Sequence, residues 1–253
     1  MNFFDKLLYK LYLKRLFRIS KFLVKFLSIF NKNYKNKDHF YNFFKKRKKN
    51  YSDSLLNDLW NPRIFIFNID IDNQKILNQI HEETNFQKNN EYSFHGHTNV
   101  YQSEHELHKE KIFFNLSEMI QSEINLKLIK YFKSNLKFSL NKFWYVITKD
   151  SGHIKQHCHF NADFSGTFYI KLDKNNPGAL MIHNKYKNIN IYKFDKNRSE
   201  FVKSRKTEDE FSIIPELNDI IVFNSYIEHS VDTDFKMLGE RVSVPFDLII
   251  LER

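Results

Sequence analysis

The sequence contains few of the residues that cross-link a chain or interrupt its regular structure. Its 253 residues include one cysteine, four prolines and five glycines. A single cysteine, Cys158, excludes an internal disulfide and indicates a reducing compartment such as the cytoplasm. Because glycine and proline are so scarce, each of them is expected to mark a local structural requirement.

Long apolar runs are also missing. No uninterrupted stretch approaches the roughly 18 apolar residues of a transmembrane helix, and no small-residue cleavage site follows an apolar segment. These absences argue against a membrane span and a secretory signal. The overall hydrophobic content of 42%, with 17% aromatic residues, excludes a wholly disordered chain and is sufficient for one large domain with an appendage.

Acidic residues are almost absent from the beginning of the chain. Residues 1–50 contain 15 lysines and arginines but only Asp5 and Asp38, a net charge of +13, whereas the remainder carries a net charge of −3. The chain therefore divides into a basic leader, residues 1–50, and a mildly acidic body, residues 51–253. Only the leader is expected to seek anionic surfaces.

The first part of the leader, residues 3–30, is predicted to form one amphipathic helix. Its basic residues recur every three or four positions and so occupy about a third of the helix circumference. Such a helix binds a membrane surface or a partner, or packs its apolar face on its own body. The basic face consists of Lys6, Lys10, Lys14, Arg18, Lys21 and Lys25.

The second part of the leader, residues 31–50, is a polar connector that ends in the basic run 45–49. Such a run matches a nuclear-localisation or nucleic-acid-binding patch. No recognition fold accompanies it, so a solvated linker is favoured and nucleic acid is not expected as a partner.

The body begins with helical patterns. Alternation predicts a strand over residues 63–71, and an N-cap at Asp72 or Asn73 precedes a helix over about 74–85. Ser103 and Glu106 form a capping-box pattern that opens a predicted helix reaching about residue 137. We interpret residues 72–140 as a helical scaffold.

The pattern changes to short strands at about residue 141 and continues so to the end. Some eight strands separated by turns, among them the turn 175–178, predict an antiparallel barrel or jelly roll, and helices followed by strands make the fold class α+β. Residues 185–208 carry no clear prediction. The strands are expected at 142–148, around the histidines at 153–159, and at 164–172, 179–183, 211–214, 219–223, 228–233 and 241–251.

His157 and His159 form the first candidate site. In an extended segment, side chains two residues apart point to the same face, so both imidazoles would converge and provide half of a metal site. The alternative is a pair of exposed polar residues on a strand edge. His95 and His97 show the same spacing but lie in a polar loop without a strand pattern.

The second half of the candidate site lies about seventy residues later. His229 follows the apolar run 220–223, and Arg241 and Ser243 share a strand face by the same period of two. A guanidinium beside a hydroxyl can bind a carboxylate. Alternatively, Arg241 is a surface residue that pairs with Glu240 or Asp247.

Taken together, these motifs resemble the iron(II)- and 2-oxoglutarate-dependent oxygenases. The similarity spans about residues 60–250 and is strongest over 144–247. The order of the matching residues resembles a subgroup with an HxH…SG…H…RxS pattern. They are Trp144, His157, His159, Ser165, Gly166, the segment from Pro215 to Phe223, His229, Arg241 and Ser243.

The resemblance implies a double-stranded β-helix, a jelly-roll or cupin-like barrel, which binds iron(II) and uses 2-oxoglutarate and dioxygen as co-substrates. His157, His159 and His229 would hold the metal. Most members of the superfamily have HxD…H, so Asp163 is an alternative third ligand. Arg241 would bind the far carboxylate of 2-oxoglutarate, assisted by Ser243 and by Tyr169.

Three functions remain open at this point. The first is a dioxygenase that hydroxylates an unidentified substrate while 2-oxoglutarate is decarboxylated to succinate. The second is a non-catalytic metal- or ligand-binding jelly roll, because the fold alone does not determine activity. The third is a membrane-associated adaptor in which the leader is the functional part. A cytoplasmic location, with peripheral membrane contact through residues 1–30, is compatible with the first and third.

Overall fold

The computed structural model describes residues 61–87, 99–132, 136–149, 152–184, 189–205, 209–232 and 239–251. The predicted leader helix and linker, and the pair His95 and His97, lie outside these ranges. Among the described helices, none is long and apolar enough to cross a membrane.

The described chain forms thirteen strands and two α-helices, with a short 3-10 turn at Leu107–Lys109. The helices are α1 (Asn73–Gln87) and α2 (Lys111–Phe132). The strands are β1 (Arg63–Asn68), β2 (Val100–Gln102), β3 (Lys137–Phe143), β4 (Val146–Lys149), β5 (Ile154–His157), β6 (Phe164–Lys171), β7 (Ala179–His183), β8 (Asn190–Asp195), β9 (Glu200–Arg205), β10 (Glu210–Ile213), β11 (Asp219–Asn224), β12 (His229–Asp232) and β13 (Glu240–Leu251).

The strands form two sheets whose connectivity is that of a jelly roll. The large sheet has the order β2-β4-β13-β6-β11-β1-β8-β9, with β3 also paired to β13, and the small sheet has the order β10-β7-β12-β5. From β4 to β7 successive strands alternate between the two sheets, and from β10 to β13 they alternate again. The predicted double-stranded β-helix is confirmed.

The centre of the large sheet is buried along almost its whole length. β11 is buried at every position, and β6 is buried at all but its last residue. Their β-branched and aromatic residues suit a strand that is covered on both faces. One part of the core lies between the sheets, where Ile64, Tyr169, Leu180, Ile182 and Phe223 pack in a single cluster.

Gly166 is required by the close approach of the strands that flank β6. A Cβ at this position would lie 2.6 Å from the carbonyl oxygen of Ile221 on β11 and against the ring of Phe246 on β13. The backbone of the neighbouring strand cannot move aside without breaking the ladder. The glycine of the Ser165-Gly166 motif is therefore explained by packing.

Helix α2 packs on β3 through its apolar face and through two amide side chains. Asn125 accepts from the backbone N–H of Phe138 and donates to the carbonyl oxygen of the same residue, while Gln121 accepts from the N–H of Leu140. These bonds satisfy the backbone of β3 opposite its pairing with β13. The buried apolar residues of α2 are Phe113, Leu116, Ile120, Ile124 and Leu128.

The predicted capping box is wrong. Helix α2 begins at Lys111, and the Ser103 hydroxyl instead accepts a hydrogen bond from the backbone N–H of Tyr145 at 2.9 Å. Residues 100–102 form strand β2 beside β4, so the scaffold region also contains part of the large sheet. Tertiary pairing has prevailed over a local helix signal here.

One strand prediction and one unassigned segment differ from the structure for a similar reason. The predicted strand 142–148 is divided into β3 and β4, which pair with different halves of the long strand β13. Within the unassigned segment 185–208, β8 and β9 form an antiparallel pair, and β8 extends the large sheet by parallel pairing with β1. Neither pairing partner is visible in the local sequence.

Candidate active site

Two of the three candidate histidines face each other across a strand pair. β5 ends at His157 and β12 begins at His229, and these residues are direct partners in the antiparallel ladder. His159 lies two residues beyond the end of β5, where its backbone N–H donates to the carbonyl oxygen of Ser225 at 2.8 Å. The two histidines of the HxH motif therefore do not lie on one strand, because β5 ends between them.

The three imidazoles nevertheless converge. The ring centroids are separated by 5.2 Å for His157 and His159, 4.3 Å for His157 and His229, and 5.3 Å for His159 and His229. One ligand nitrogen from each residue lies within 4.8 Å of the other two. Among the described residues, this is the group of histidine, cysteine and acidic side chains that can hold a metal ion.

Each imidazole has its Nδ1 atom beside an acceptor. The carbonyl oxygen of Lys155 accepts from His157 at 2.8 Å, and that of Ile227 accepts from His229 at 3.0 Å. Nδ1 of His159 lies 2.8 Å from the Asp247 carboxylate. Because these acceptors carry no proton, Nδ1 is the protonated nitrogen and Nε2 keeps the lone pair that a metal requires.

The electrostatic environment favours neutral imidazole at His229. Burial lowers the pKa of His229 well below its ordinary value, and the neighbouring His157 and His159 lower it further, against the opposing effect of the hydrogen bond to Ile227. A neutral ring is the form that coordinates metals.

Aromatic side chains hold two of the rings in place. The indole of Trp144 stacks on His159 with a centroid separation of 6.0 Å, and Phe223 meets His229 edge to face at 4.7 Å. Such contacts restrict the rotation of the imidazoles, so the cluster is organised before any ligand is present.

Asp247 anchors the third imidazole from β13. Its Oδ1 atom accepts from the Ser165 hydroxyl at 2.6 Å as well as facing His159. Burial by itself would raise the pKa of Asp247, but the hydrogen bonds from the His159 ring and from the Ser165 hydroxyl outweigh it and hold the pKa below the ordinary value. The carboxylate is therefore ionised at neutral pH.

Asp163, the alternative third ligand, has a different set of contacts. Its Oδ2 atom accepts from the backbone N–H of Ile250 at 2.8 Å, and its own N–H donates to the carbonyl oxygen of Leu248. It thus ties the loop after β5 to the end of β13. Asp163 does not belong to the cluster of converging ligand atoms.

The histidines line a cavity of about 380 Å³ that also contains Arg241, Ser243 and Tyr169. Arg241 is only 1% exposed, so the interpretation as a surface arginine is wrong. Its two suggested partners are engaged elsewhere, Glu240 with Lys149 and Lys171 and Asp247 with His159. The guanidinium carbon lies 5.0 Å from the centroid of the Tyr169 ring.

Several buried polar atoms of this cavity have no hydrogen-bond partner within the described part of the chain. They are Nε and Nη1 of Arg241, the hydroxyl of Tyr169 and the hydroxyl of Thr167. Burial raises the pKa of Tyr169, against the opposing charge of Arg241 and the polar contacts with Arg241 and Thr167, which lie near the phenol without the geometry of a full hydrogen bond, so the phenol keeps its proton and can donate. Buried donors of this kind normally have a partner, and a carboxylate would satisfy them.

Sequence reasoning missed two residues of this site. Thr167 was not considered, and Asp247 was considered only as a surface partner of Arg241. Both carried a usable signal, because Asp247 continues the alternation of Arg241 and Ser243 along β13, and Thr167 lies between Ser165 and Tyr169 on the same face of β6.

A comparison with known families matches the part of the chain that contains the site. Residues 142–247 match the family model described as "Putative 2OG-Fe(II) oxygenase". This segment contains all three candidate histidines as well as Arg241, Ser243 and Tyr169, and it resembles the iron(II)- and 2-oxoglutarate-dependent oxygenases. A comparison with curated protein sequences gives no match.

Several solved structures are similar to this chain at low sequence identity. The epimerase SnoN from nogalamycin biosynthesis, named as non-heme and alpha-ketoglutarate-dependent, has a TM-score of 0.51 and 10% identity, over 78% of this chain and 80% of its own. A prolyl-4-hydroxylase from Pseudomonas putida has a TM-score of 0.49 and 12% identity, over 78% and 97%. HygX from Streptomyces hygroscopicus, with iron bound, has a TM-score of 0.48 and 7% identity, over 79% and 86%.

Proposed function

We propose that this protein is an iron(II)- and 2-oxoglutarate-dependent oxygenase, which hydroxylates its substrate at a metal held by His157, His159 and His229. The observation that supports this most strongly is that three imidazoles with lone pairs on Nε2 share one cavity with a buried arginine whose Nε and Nη1 donors are unsatisfied. Imidazole nitrogen suits iron(II), so these three residues would hold the ion at the cavity that 2-oxoglutarate and dioxygen would enter. Bound iron(II) supplies the oxidising chemistry, in which 2-oxoglutarate is decarboxylated to succinate.

We assign the co-substrate site to Arg241, Ser243 and Tyr169. A dicarboxylate can approach the metal with one end and meet the guanidinium with the other, because both line the same cavity. Ser243 lies directly opposite Tyr169 in the ladder between β13 and β6, so both side chains leave the sheet on the same face, and the Arg241 guanidinium lies over the Tyr169 ring. In the bound state, hydrogen bonds from these side chains would replace the hydrogen bonds that water makes to a free carboxylate.

The third ligand is assigned to His159 in preference to Asp163. The Asp163 carboxylate accepts a backbone N–H of β13, whereas the His159 ring belongs to the converging cluster. The remaining walls of the cavity exclude water from the reacting groups and suit an apolar part of a substrate. They include Trp144, Val146, Ile154, Leu180 and Val231.

The test of this function is product analysis under isotopically heavy dioxygen. The full-length protein is incubated with iron(II), ascorbate, 2-oxoglutarate and pools of candidate small molecules and peptides, and both products are examined by mass spectrometry. We expect one heavy oxygen atom in succinate and the other in a hydroxylated substrate. Succinate formed without any oxygen in a second product would contradict hydroxylation, and the name of SnoN suggests epimerisation as the outcome to examine next.

A chain that releases no succinate under these conditions would support the non-catalytic module instead. The burial of unsatisfied donors at Arg241 opposes that alternative, since a metal that is only structural needs no site for a second carboxylate.

We further propose that the basic leader binds anionic membrane surfaces. The full-length protein should sediment with anionic vesicles but not with neutral ones, and binding should weaken as salt rises, because exposed charges are screened. A variant with Lys6, Lys10 and Lys14 changed to glutamine should bind less. Equal sedimentation with both kinds of vesicle, or with neither, would favour packing of the leader on its own body.

A further inference from the structure

The proposed metal site lacks a negative charge among its ligands. Three neutral imidazoles leave the whole charge of a divalent ion to be offset by other groups, whereas a site with a carboxylate ligand offsets part of it directly. The structure contains a carboxylate close to this site that is not itself a ligand. This inference rests on the proposed assignment of the three histidines.

Asp247 occupies a fixed position behind His159. The residue is 1% exposed, and its Oδ1 atom lies 2.8 Å from Nδ1 of His159 and 2.6 Å from the Ser165 hydroxyl, which donates to it. An oxygen that accepts two hydrogen bonds in this way is fixed in direction. Ser165 lies directly opposite Asp247 in the ladder between β6 and β13, so the backbone holds this arrangement.

The other two imidazoles have weaker acceptors. His157 and His229 both direct Nδ1 at backbone carbonyl oxygens, those of Lys155 and Ile227. A hydrogen bond to an ionised carboxylate is shorter and about twice as strong as one to a neutral acceptor. Among the three candidate ligands, His159 is therefore the one whose ring donates a hydrogen bond to a negatively charged group.

We propose that Asp247 is a positioning residue for the metal centre, which holds His159 as a ligand and supplies the negative charge that the three imidazoles lack. The carboxylate keeps the proton on Nδ1, so Nε2 is directed to the metal, and it increases the basicity of the ring. His159 lies in a loop, unlike the other two histidines, so it has the greatest need of a side chain that fixes its orientation.

The experiment is a titration of the metal-free, full-length protein with cobalt(II), whose visible absorption reports both occupancy and ligand geometry. Asp247→Asn keeps the shape of the side chain but removes its charge, and it should weaken cobalt(II) binding about 10- to 100-fold, the usual effect of removing such a partner. Asp247→Ala should weaken binding at least as much. Ser165→Ala retains the carboxylate and should weaken binding less than either.

The matched control is Asp219→Asn, another buried carboxylate in the large sheet, which accepts from Asn68 and from the backbone N–H of Glu216. It should leave the cobalt(II) affinity unchanged. Thermal melting of each metal-free variant separates loss of metal binding from loss of fold. His157→Ala is included as a test of the metal site itself.

A measurement on the unaltered protein tests the role of Asp247 without requiring that any variant folds. In the zinc(II)-loaded form, the Nδ1 proton of His159 should resonate farther downfield than those of His157 and His229, because its acceptor is charged. The role of Asp247 would be overturned if the Nδ1 protons of the three histidines had equivalent chemical shifts. It would also be overturned if the Asp247→Asn variant bound cobalt(II) as tightly as the parent does. If His157→Ala also binds normally, the proposed metal site is at fault instead.

Discussion

Replacement of either His157 or His229 by alanine is expected to abolish iron binding and turnover. The two residues are partners in the ladder between β5 and β12 and supply two of three ligands, so neither loss can be compensated by the remaining pair. The measurement is equilibrium dialysis of iron(II) under anaerobic conditions, followed by assay of succinate formation from 2-oxoglutarate.

His81→Ala is the matched control for this experiment. His81 lies on α1 and pairs with Glu240 at 2.7 Å, and it does not line the cavity. Its replacement should leave iron binding unchanged. If the His157 and His229 variants retain iron as this control does, the assignment of the metal site is wrong.

The choice of third ligand follows from two further variants. His159→Ala should reduce iron binding severely, because it removes the ring that stacks on Trp144 and faces Asp247. Asp163→Asn should retain iron, although it weakens the bond to the N–H of Ile250 and should lower the melting temperature. The opposite result would identify a triad of two histidines and one carboxylate, with the carboxylate displaced along the chain.

Replacement of Arg241 by alanine should leave iron binding intact but greatly raise the concentration of 2-oxoglutarate that half-saturates the enzyme. Loss of one partner of a buried, hydrogen-bonded ion pair costs about 2–5 kcal/mol, which corresponds to a change of roughly 30-fold to several thousand-fold. The measurement is succinate formation as a function of 2-oxoglutarate concentration, at saturating iron and ascorbate.

Two variants sharpen the interpretation of Arg241. Arg241→Lys keeps the positive charge but loses the fork that binds both carboxylate oxygens, so its effect should lie between those of the parent and of the alanine variant. Arg198→Ala removes an exposed arginine that pairs with Asp195 between β8 and β9, and it should change nothing. An Arg241→Ala enzyme with the parental requirement for 2-oxoglutarate would contradict the co-substrate assignment.

The sequence by itself was sufficient for the fold class and for most members of the candidate site, but not for Thr167 and Asp247. Alternation and turn residues predicted most strands from 164 to 251 within a few positions, because each buried strand carries its own run of β-branched and aromatic residues. The order of His157, Ser165, Gly166, His229 and Arg241 was likewise readable, since a motif is a property of the chain and needs no partner.

The tertiary structure alone decided how those residues meet. Period-two reasoning placed His157 and His159 on one strand, but β5 ends at His157, and a backbone bond to Ser225 positions His159. The contact of Asp247 with His159 depends on strands far apart in sequence, and so does the burial of Arg241. A local pattern determines which way a side chain faces along its own strand, whereas the group that it meets is determined by the pairing of distant strands and by the closure of the barrel.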